Sequence, residues 1–490
     1  MKTRQINVLG AVSLGISGAA FAGVTQVDAI ARVGELAPGG EGATFSSFNP
    51  PFVNGLGQVG FTGQLSAGGP FVFHTDSVIW LNHHAPKGFT LTGTEATMGI
   101  SDAGGFIYSP STNGTDSVWT ENGLLLRGSD PAPGMPGMYA TFSSRPRMLP
   151  DGTAVWVAGM RDTPDSQTSQ GRILYVCADT SDPSSSVPAL HTQQQFNVGG
   201  NFHTPTASGI GFNFDASDNA QYLINELILA GLPTASNTFI WINGNLVHRQ
   251  GDPVGDGTNW NSFRGVGINN SGDYCFGGAT SGGPTATNEF LAYNGQIIAR
   301  RGDTLAGIQL ASSWATRWTS INNLGQVAHL WEGGSGLSLS GTLFVTLDPN
   351  DAANSTIALV SAWQELDTTG DGFPDAVISD FKASATIAPG LDFSDHPWVY
   401  VEVDLRDILT ATGGLGDAYE AIIRVPFPPG ATCPADLNNS GAVDVQDLLI
   451  LLGAWGPCGK GDCPADLNNS GSVDVQDLLI LLGAWGPCNP

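Results

Sequence analysis

The sequence predicts a mostly β repeat body followed by a small α-helical C-terminal domain. An Asn-x-x-Gly turn pattern recurs through the body, glycine and proline number 66 and 30 among 490 residues, and the C-terminus carries a tandem repeat with a period of 30 residues. Sequence repeats of about 50 residues are typical of propellers and solenoids. Frequent turn residues between short apolar runs favour strands over helices.

The composition describes an acidic but charge-poor chain. Lys and Arg total 18 and Asp and Glu total 44, which gives a formal net charge of −26, yet only 13% of the residues are charged and 41% are hydrophobic. Disordered chains combine low hydrophobicity with high charge, so a folded protein is expected. The negative charge disfavours nucleic acids and anionic lipid surfaces as partners and favours cations.

Residues 1–22 are typical of an export signal. Lys2 and Arg4 precede a mildly apolar stretch, and Ala20-Phe21-Ala22 forms a small-residue cleavage pattern. A buried N-terminal strand or helix is the alternative, but the charge placement and the cleavage pattern agree with each other. No later apolar run reaches the roughly 18 residues that a membrane helix needs. We therefore expect a secreted, extracellular or cell-surface protein, cleaved near Ala22.

The predicted body, residues 23–345, contains pairs of apolar runs separated by Asn-Gly. The runs Phe239–Val247 and Phe290–Ile298 each hold one such turn, Asn243-Gly244 and Asn294-Gly295, and Trp119–Leu126 repeats the arrangement through Asn122-Gly123. Asn-Gly between apolar runs predicts a tight hairpin, since primed turns need a positive φ at both central residues.

The Asn-x-x-Gly motif gives the repeat count. Its glycines or their equivalents fall at positions 57, 104, 152, 219, 272 and 325, with steps of 47, 48, 67, 53 and 53 residues. An Asn or Asp with Gly three residues later is again turn chemistry. The spacing predicts a β-propeller-like ring of six or seven blades. Two β-sandwiches are the alternative, and a helical body is disfavoured.

Residues 346–425 contain further strands that either close the ring or form a separate β unit. Pro426–Gly430 indicates a stiff spacer within a linker at 426–432. The tandem repeat then occupies residues 433–490.

The tandem repeat reads CPADLNNSGAVDVQDLLILLGAWGPC from Cys433 and recurs from Cys463 with one substitution. Side-chain oxygens fall at calcium-loop positions 1, 3, 5, 9 and 12, position 6 is glycine, and position 7 offers its carbonyl. The predicted calcium ligands of the two sites are Asp436, Asn438, Ser440, Ala442, Asp444 and Asp447, and Asp466, Asn468, Ser470, Ser472, Asp474 and Asp477.

An apolar helix is expected after each loop, over Leu448–Leu452 and Leu478–Leu482, with its end at Gly453 or Gly483. Four cysteines flank the repeats and permit three pairings, of which symmetry favours Cys433–Cys458 with Cys463–Cys488. Trp455 and Trp485 either cap this small core or act as sugar platforms.

This tandem loop-and-helix pattern resembles the type I dockerin domain, particularly the Cys-flanked form of planctomycete-type exported proteins. The resemblance implies two bound Ca²⁺ ions and docking onto a cohesin-like or other surface protein. The implied docking residues are Val445, Gln446 and Leu448–Leu452, with Val475, Gln476 and Leu478–Leu482. Ser440 and Ser470 stand where an acid is common, so weaker calcium binding is expected. The body, in turn, resembles bacterial exported proteins built from tandem NxxG repeats, which are thought to form β-propellers.

A third calcium loop is suggested by Asp367, Thr369, Asp371 and Asp375, with glycine at position 6. Position 12 is Ile378, so a principal ligand is missing, and a weak calcium site and a plain Asp/Gly turn both stay open.

Three smaller features have bland interpretations beside functional ones. His83-His84 suggests a metal site, but the sequence places no third ligand, which favours an exposed pair. Arg301-Gly302-Asp303 matches an adhesion tripeptide but occupies a repeat turn. Cys177 and Cys275 either form a disulfide or remain buried thiols.

No nucleophile elbow, phosphate-binding loop, HExxH helix or dinucleotide fingerprint occurs in the sequence. The sequence thus favours an exported, non-enzymatic repeat protein attached through its calcium-dependent tail. The alternative is a polysaccharide-active enzyme, a glycoside hydrolase or lyase, delivered by the same tail; a calcium-dependent adhesin is a third class. Convergent carboxylates in a central pocket favour the enzyme, and a plugged or apolar channel favours the scaffold.

Overall fold

The computed structural model describes residues 25–92, 98–166, 168–382, 391–409, 414–427, 435, 437, 442–443, 445–458, 464–467, 471–483 and 485–487. The predicted signal peptide lies outside these residues. Among the residues described, no helix is both long and apolar enough to cross a membrane.

The body is a seven-bladed β-propeller, so the two-sandwich alternative is wrong. Blade one contains Phe45–Phe48, Phe52–Val53, Val59–Leu65, Gly69–His74 and Ser77–Leu81. Blade two contains Leu91–Thr92, Met98–Ile100, Phe106–Tyr108, Ser111–Thr112, Thr115–Thr120 and Gly123–Arg127. Blade three contains Tyr139–Met148, Ala154–Arg161, Gly171–Cys177 and Ser186–His191. Blade four contains Pro205–Ala216, Leu223–Leu229, Thr238–Ile242 and Asn245–Arg249.

The remaining blades follow in chain order. Blade five contains Asn259–Ile268, Tyr274–Ser281, Glu289–Tyr293 and Gln296–Arg300. Blade six contains Ala315–Ile321, Val327–Gly333, Ser340–Thr346 and Thr356–Ser361, with the short helix α1 (Ala352–Ser355) before its last strand. Blade seven contains Thr25–Gln26, Asp28–Arg32, Glu365–Asp367, Ala376–Phe381, Leu391–Asp392, Trp398–Leu409 and Gly414–Pro426.

Smaller elements join these strands. Two short hairpins are Phe196–Val198 with Asn201–His203 and Thr304–Leu305 with Ile308–Gln309. Single 3₁₀ turns cover Asn82–His84, Pro183–Ser185, Thr285–Thr287, Gly336–Ser338 and Pro349–Asp351.

The ring is closed by hydrogen bonds between strands from opposite ends of the chain. Asp28–Arg32 pairs antiparallel with Gly414–Pro426, and the Arg424 Nη2 atom lies 2.6 Å from Asp28 Oδ2 across this pair. Leu391–Asp392 contacts the innermost strands of blades six and one. The predicted linker begins within this blade, since Pro426 ends a strand and the Phe427 side chain is buried.

Hydrophobic cores lie between neighbouring blades. One cluster combines Leu149 and Val157 of the blade-three region with Leu227 and Trp241 of blade four. The strands alternate or run fully apolar because both faces of an inner strand pack against adjacent blades. This packing fixes the position of the turns that meet at the centre of the ring.

Two of the three predicted Asn-Gly hairpin turns have the expected backbone. Asn243 and Gly244 have φ values of 45° and 90°, and Asn294 and Gly295 have 48° and 77°. At the third turn the φ of Gly123 is 117°, but the φ of Asn122 is not positive.

The described part of the tail contains two helices, α2 (Val445–Gly453) and α3 (Val475–Gly483), each ending at the predicted glycine. Ala442–Val443 pairs with Gly486–Pro487, and Ser472–Val473 pairs with Gly456–Pro457. Each loop strand therefore pairs with the segment that follows the other repeat's helix. The shared core contains Ala435, Val443, Leu451, Ala465, Val473 and Leu481.

Candidate functional site

The innermost strands end around a central pocket with a volume of about 410 Å³. Strand ends supply its wall, and turn residues supply its rim. The rim holds the second residue of all seven central turns, namely Gly55, Asp102, Pro150, Asp218, Asn270, Asn323 and Asp395. The repeat that the sequence shows as a turn motif therefore places one residue per blade at the pocket mouth.

The first residue of the turn motif links each blade to the next. In Asn269, Oδ1 accepts hydrogen bonds from the backbone N–H groups of Ser271 and Asp273, both at 3.0 Å, and Nδ2 donates to the carbonyl oxygen of Asn322 at 3.1 Å. Asn322 Nδ2 donates in the same way to the carbonyl oxygen of Ser394 at 3.1 Å. Asn54 Nδ2 donates to the carbonyl oxygen of Ser101 at 3.2 Å.

The second residue of the motif adds a parallel set of bonds. The backbone N–H groups of Asp218, Asn270 and Asn323 donate to the side-chain oxygens of Asn270, Asn323 and Asp395, at 2.8, 3.0 and 2.8 Å. Turn chemistry alone accounts for the bonds within each turn but not for those between blades. Only the 53-residue spacing common to Asn269–Asn322 and Asn270–Asn323 in the sequence hints at this role.

One predicted turn position is wrong. In blade four the residue with positive φ is Ala220, at 55°, and its N–H donates to the carbonyl oxygen of Ser217 at 2.8 Å. Gly272 makes the same bond to Asn269 at 3.0 Å. Ala220, not Asn219, is thus the equivalent of the turn glycine, and Ser217 takes the place of the first Asn.

Two carboxylates and one guanidinium lie deeper in the pocket. Arg147 forms an ion pair with Asp215, and both side chains are 15% exposed. Asp215 Oδ2 also accepts a hydrogen bond from the backbone N–H of Ile268 at 2.9 Å. Burial raises the pKa of Asp215, although Arg147 opposes this shift.

Asp392 is the second inner carboxylate. Its Oδ2 accepts from the backbone N–H of Val53 at 3.1 Å, and its Oδ1 accepts from Ser320 Oγ at 3.1 Å. Burial raises the pKa of Asp392 to about 6, with Arg147 lowering it and the Asp215 charge raising it further. The pocket wall therefore holds two carboxylates for one guanidinium, and such perturbed groups in a cleft are typical of binding or catalytic sites. None of these three residues was singled out by sequence, because they share no local motif.

The predicted calcium ligands fall partly outside the described residues. Asp436, Asn438, Ser440, Asp444, Asn468 and Ser470 lie outside them, as does the Ala442 side chain. In the second loop, Asp466 Oδ2 accepts from the backbone N–H of Gly471 at 2.7 Å, and Asp477 Oδ2 accepts from that of Asp474 at 2.8 Å. The Asp447 and Asp477 residues, at position 12 of the two loops, are fully buried.

The suggested third loop is a hairpin turn of blade seven. Asp367 Oδ2 accepts from the backbone N–H of Gly372 at 2.7 Å, the same bond between positions 1 and 6 that Asp466 makes with Gly471. The pKa of Asp367 is lowered overall. Burial alone would raise this pKa, but the hydrogen bonds from Gly372, Gly370 and Thr369 together outweigh that effect. Asp375, at position 9, accepts a hydrogen bond from Thr368 Oγ1, at position 2, at 2.8 Å.

Helices α2 and α3 expose an unusually apolar surface, here called the tail face. Leu449 and Leu479 are 63% and 64% exposed, although both are large apolar side chains. The tail face consists of Val445, Leu449, Ile450, Leu452 and Trp455 with Val475, Leu479, Ile480, Leu482 and Trp485. Val445, Leu449, Ile450 and Leu452, with their twins in the second repeat, belong to the docking set that the dockerin resemblance implies. Leu451 and Leu481 of that set are fully buried in the tail core, and the two tryptophans are about half exposed.

The fold adds a third side chain to the histidine pair. Glu41 Oε1 lies 3.2 Å from His83 Nε2, and Glu41, His83 and His84 each offer a ligand atom within 4.8 Å of the others. All three are exposed, and His84 Nδ1 already accepts a hydrogen bond from the backbone N–H of Leu81 at 3.1 Å. The cluster is thus a close surface contact between Glu41 and His83, beside an imidazole of His84 that already accepts a hydrogen bond.

Arg301 of the adhesion-like tripeptide forms an ion pair within the propeller. Its guanidinium lies 3.6 Å from Glu289 and is 13% exposed, which favours the repeat-turn interpretation. Cys177 and Cys275 are free, buried thiols, so the alternative of a disulfide between them is wrong. Three of the four tail cysteines, Cys433, Cys463 and Cys488, lie outside the described residues, and their pairing stays a prediction.

Part of the chain matches the model of a protein family whose function is unknown. Residues 10–182 match the model of a family described as Family of unknown function (DUF7453). No curated protein matches the chain.

Several solved structures match the chain at low similarity. Puromycin hydrolase is 14% identical with a TM-score of 0.40, and the match covers 83% of this chain and 58% of that one. Prolyl oligopeptidase B from Galerina marginata is 9% identical with a TM-score of 0.38, over 77% of this chain and 51% of that one. Aldose sugar dehydrogenase from Streptomyces coelicolor is 12% identical with a TM-score of 0.27, over 80% of this chain and 97% of that one. The chain thus spans little more than half the length of the two hydrolytic enzymes.

Proposed function

We propose that this chain is an exported, non-enzymatic repeat protein that is attached to a cell-surface or extracellular partner protein through its calcium-ordered tail. The observation that carries the proposal is the tail face. Exposed apolar patches on soluble proteins commonly mark interaction sites. Two symmetric copies of one patch, supplied by a 30-residue repeat, suit a partner that recognises either helix.

The donor set of the tail fits calcium. Between residues 433 and 490 the sequence has seven Asp and one basic residue, Lys460. Asp447 and Asp477 are fully buried, and buried carboxylates in proteins are usually hydrogen-bonded, paired with a charge or bound to a metal ion. Oxygen ligands at alternating loop positions are those that Ca²⁺ prefers.

In this proposal, calcium acts by folding the tail. Each ion would gather three carboxylates of its loop and hold the start of α2 or α3, so that the tail face is presented in one arrangement. Domains of this size bury little apolar surface, so metal ions and disulfides commonly supply part of their stability. The flanking disulfides, if they pair as symmetry suggests, would act in the same direction.

A weaker third site at Asp367, Thr369, Asp371 and Asp375 is part of the proposal. Its support is the bond from Gly372 to Asp367, which matches that from Gly471 to Asp466. The missing ligand at position 12 would make its affinity lower than that of the tail sites.

The test is capture of a partner by the full-length protein, with calcium and with a chelator. Capture of one defined surface protein only with calcium supports the proposal. Leu449→Asp with Leu479→Asp should abolish capture, while the matched change Leu337→Asp, at an 89% exposed leucine of blade six, should leave it intact. Capture that is unaffected by the chelator and by the paired change contradicts the proposal.

A second candidate is a polysaccharide-active enzyme carried by the same tail, and the central pocket favours it. Asp215 and Asp392 converge beside Arg147, and a carboxyl with a raised pKa beside a second carboxylate suits acid–base chemistry. Depolymerisation of a glycan that is lost in Asp392→Asn but kept in Asp417→Asn, at an exposed site in blade seven, would establish this activity. Equal turnover by both variants would exclude the pocket as its site.

A further inference from the structure

We infer that the central pocket binds a glycan unit that carries a free amino group, so that the ligand is a cationic amino sugar instead of a neutral or acidic one. This inference rests on the second proposed function, because it names the ligand class of the same pocket. It is carried by the arrangement of charged oxygens around the mouth and by the chemistry of the wall.

The rim carboxylates each have one oxygen engaged in the ring. Asp102 Oδ1 accepts from the backbone N–H of Leu56 at 3.3 Å, and Asp395 Oδ1 accepts from that of Asn323 at 2.8 Å. Asp218 Oδ2 accepts from the side-chain amides of Asn270 and Asn323, at 2.8 and 2.7 Å. Among the described residues, no hydrogen bond is found to the other oxygen of any of the three, so each rim carboxylate presents one oxygen to a ligand.

The excess of carboxylates in the pocket favours a ligand with a positive charge. Five carboxylates line the pocket, from Asp102, Asp215, Asp218, Asp392 and Asp395, against one guanidinium. Arg147 is already paired with Asp215, which leaves four carboxylates without a matching basic side chain among the described lining residues. An acidic sugar would add to this repulsion, whereas an ammonium group would relieve it.

The directions of the open oxygens suit a sugar ring. Asp102, Asp218 and Asp395 belong to blades two, four and seven, so their oxygens approach the pocket from different sides. A ring with several hydroxyl groups and one ammonium group offers donors in several directions, while a lysine side chain offers donors at one end only. Phe52, Ile321 and Phe393 supply apolar wall for the faces of the ring. A volume of about 410 Å³ is within the range of small-ligand pockets.

The experiment is calorimetric titration of the full-length protein with four probes. These are a β-1,4-linked glucosamine tetramer, its N-acetylated counterpart, a glucose tetramer and a lysine tetrapeptide. Binding of the glucosamine tetramer, at least tenfold tighter than the N-acetylated and glucose tetramers and weakened by added salt, supports the inference. Equal or tighter binding of the N-acetylated tetramer, the glucose tetramer or the lysine peptide, or no binding of any probe, overturns it.

Charge-removing variants place the binding at the pocket. Asp102→Asn combined with Asp395→Asn keeps an oxygen acceptor for each rim bond, so the ring should stay folded, and affinity for the glucosamine tetramer should fall by about fivefold to tenfold. Asp417→Asn removes an exposed charge of blade seven outside the pocket and should leave affinity unchanged. Equal affinity of the wild type and the double variant places the ligand elsewhere and contradicts the inference.

The same probes separate this inference from the enzyme proposal. Glucosamine binding without turnover supports the ligand class while the enzyme proposal fails. Turnover of a neutral glycan without preference for the amine supports the enzyme while the ligand class fails.

Discussion

The side-chain amide of Asn269 donates a hydrogen bond to the backbone carbonyl oxygen of Asn322, the equivalent residue of the next blade, at 3.1 Å. The same side chain closes its own turn through two further hydrogen bonds. One asparagine therefore shapes a turn and joins two blades, which explains why the body repeats Asn at this position and not merely a turn-forming residue. Serine at positions 101, 217 and 394 takes the same place with a shorter side chain.

Removing this link should destabilise the ring. Asn269 is only 3% exposed, and Asn269→Ala would leave two backbone N–H groups without their acceptor. It would also remove one of the two donors to the Asn322 carbonyl oxygen, which keeps its bond from the Gly325 N–H. We expect a loss of about 2–3 kcal/mol in the free energy of unfolding. Chemical denaturation measures this, with Ser271→Ala, an exposed position of the same turn, as the control. Equal stability of the two variants would show that the interblade bond contributes little.

The number of bound calcium ions should be three, two of them in the tail. The wild-type protein should bind two ions in the tail and one more weakly at the Asp367 loop, as measured by equilibrium dialysis. Asp447→Asn with Asp477→Asn should remove the two tighter sites, since position 12 is a principal ligand, and Asp371→Asn should remove only the weak one. A wild-type stoichiometry of two that Asp371→Asn leaves unchanged would assign the Asp367 loop as a plain turn.

Calcium should also protect the tail from proteolysis. A ligand that binds only the folded state stabilises it by about 2.7 kcal/mol at a concentration of 100 times its Kd. Cleavage within residues 433–490 should therefore slow when calcium is added and accelerate with a chelator, while the propeller fragment persists. Identical cleavage rates in both conditions would exclude calcium as the agent that folds the tail.

The stability of the propeller should respond to Asp392 in mild acid. Burial and the Asp215 charge raise the pKa of Asp392 to about 6, above its value in the unfolded chain, so the folded state binds this proton more readily. Asp392 therefore makes stability fall as pH rises from about 4 to 6. Asp392→Asn should flatten this part of the stability profile relative to the wild type, and Asp417→Asn should not. A profile that is identical in all three proteins would argue that Asp392 titrates normally.

The buried thiol of Cys275 should resist alkylation. Burial raises its pKa to about 12, and the thiolate is the reactive form. Mass spectrometry should find Cys275 unmodified after treatment of the native protein at pH 8 and fully modified after unfolding. Rapid modification in the native state would show that this part of blade five opens readily.

Much of the fold could be predicted because its signals are local. The hairpins at Asn243-Gly244 and Asn294-Gly295 follow from backbone sterics, and the ends of α2 and α3 follow from a glycine after an apolar run. The prediction for the blade-four turn was wrong because it also used only local signals. Ala220 adopts a positive φ that no local rule assigns to alanine, because the surrounding strands fix the turn.

The central site could not be predicted in this way. Arg147, Asp215 and Asp392 lie on blades three, four and seven, and no spacing relates them. Their proximity and the shifted pKa of Asp392 arise only when the blades surround a common axis and exclude water.

By itself the sequence determined the repeat of short strands, the two helices of the tail and the excess of negative charge, since each depends on residues near one another in the chain. Tertiary structure alone decided the number of blades, because the last blade is completed by Asp28–Arg32 through pairing with Gly414–Pro426. It also decided that Cys177 and Cys275 stay apart and that five carboxylates meet at one pocket. The physical reason is that ring closure brings together residues hundreds of positions apart, and the interactions that result depend on distance in space.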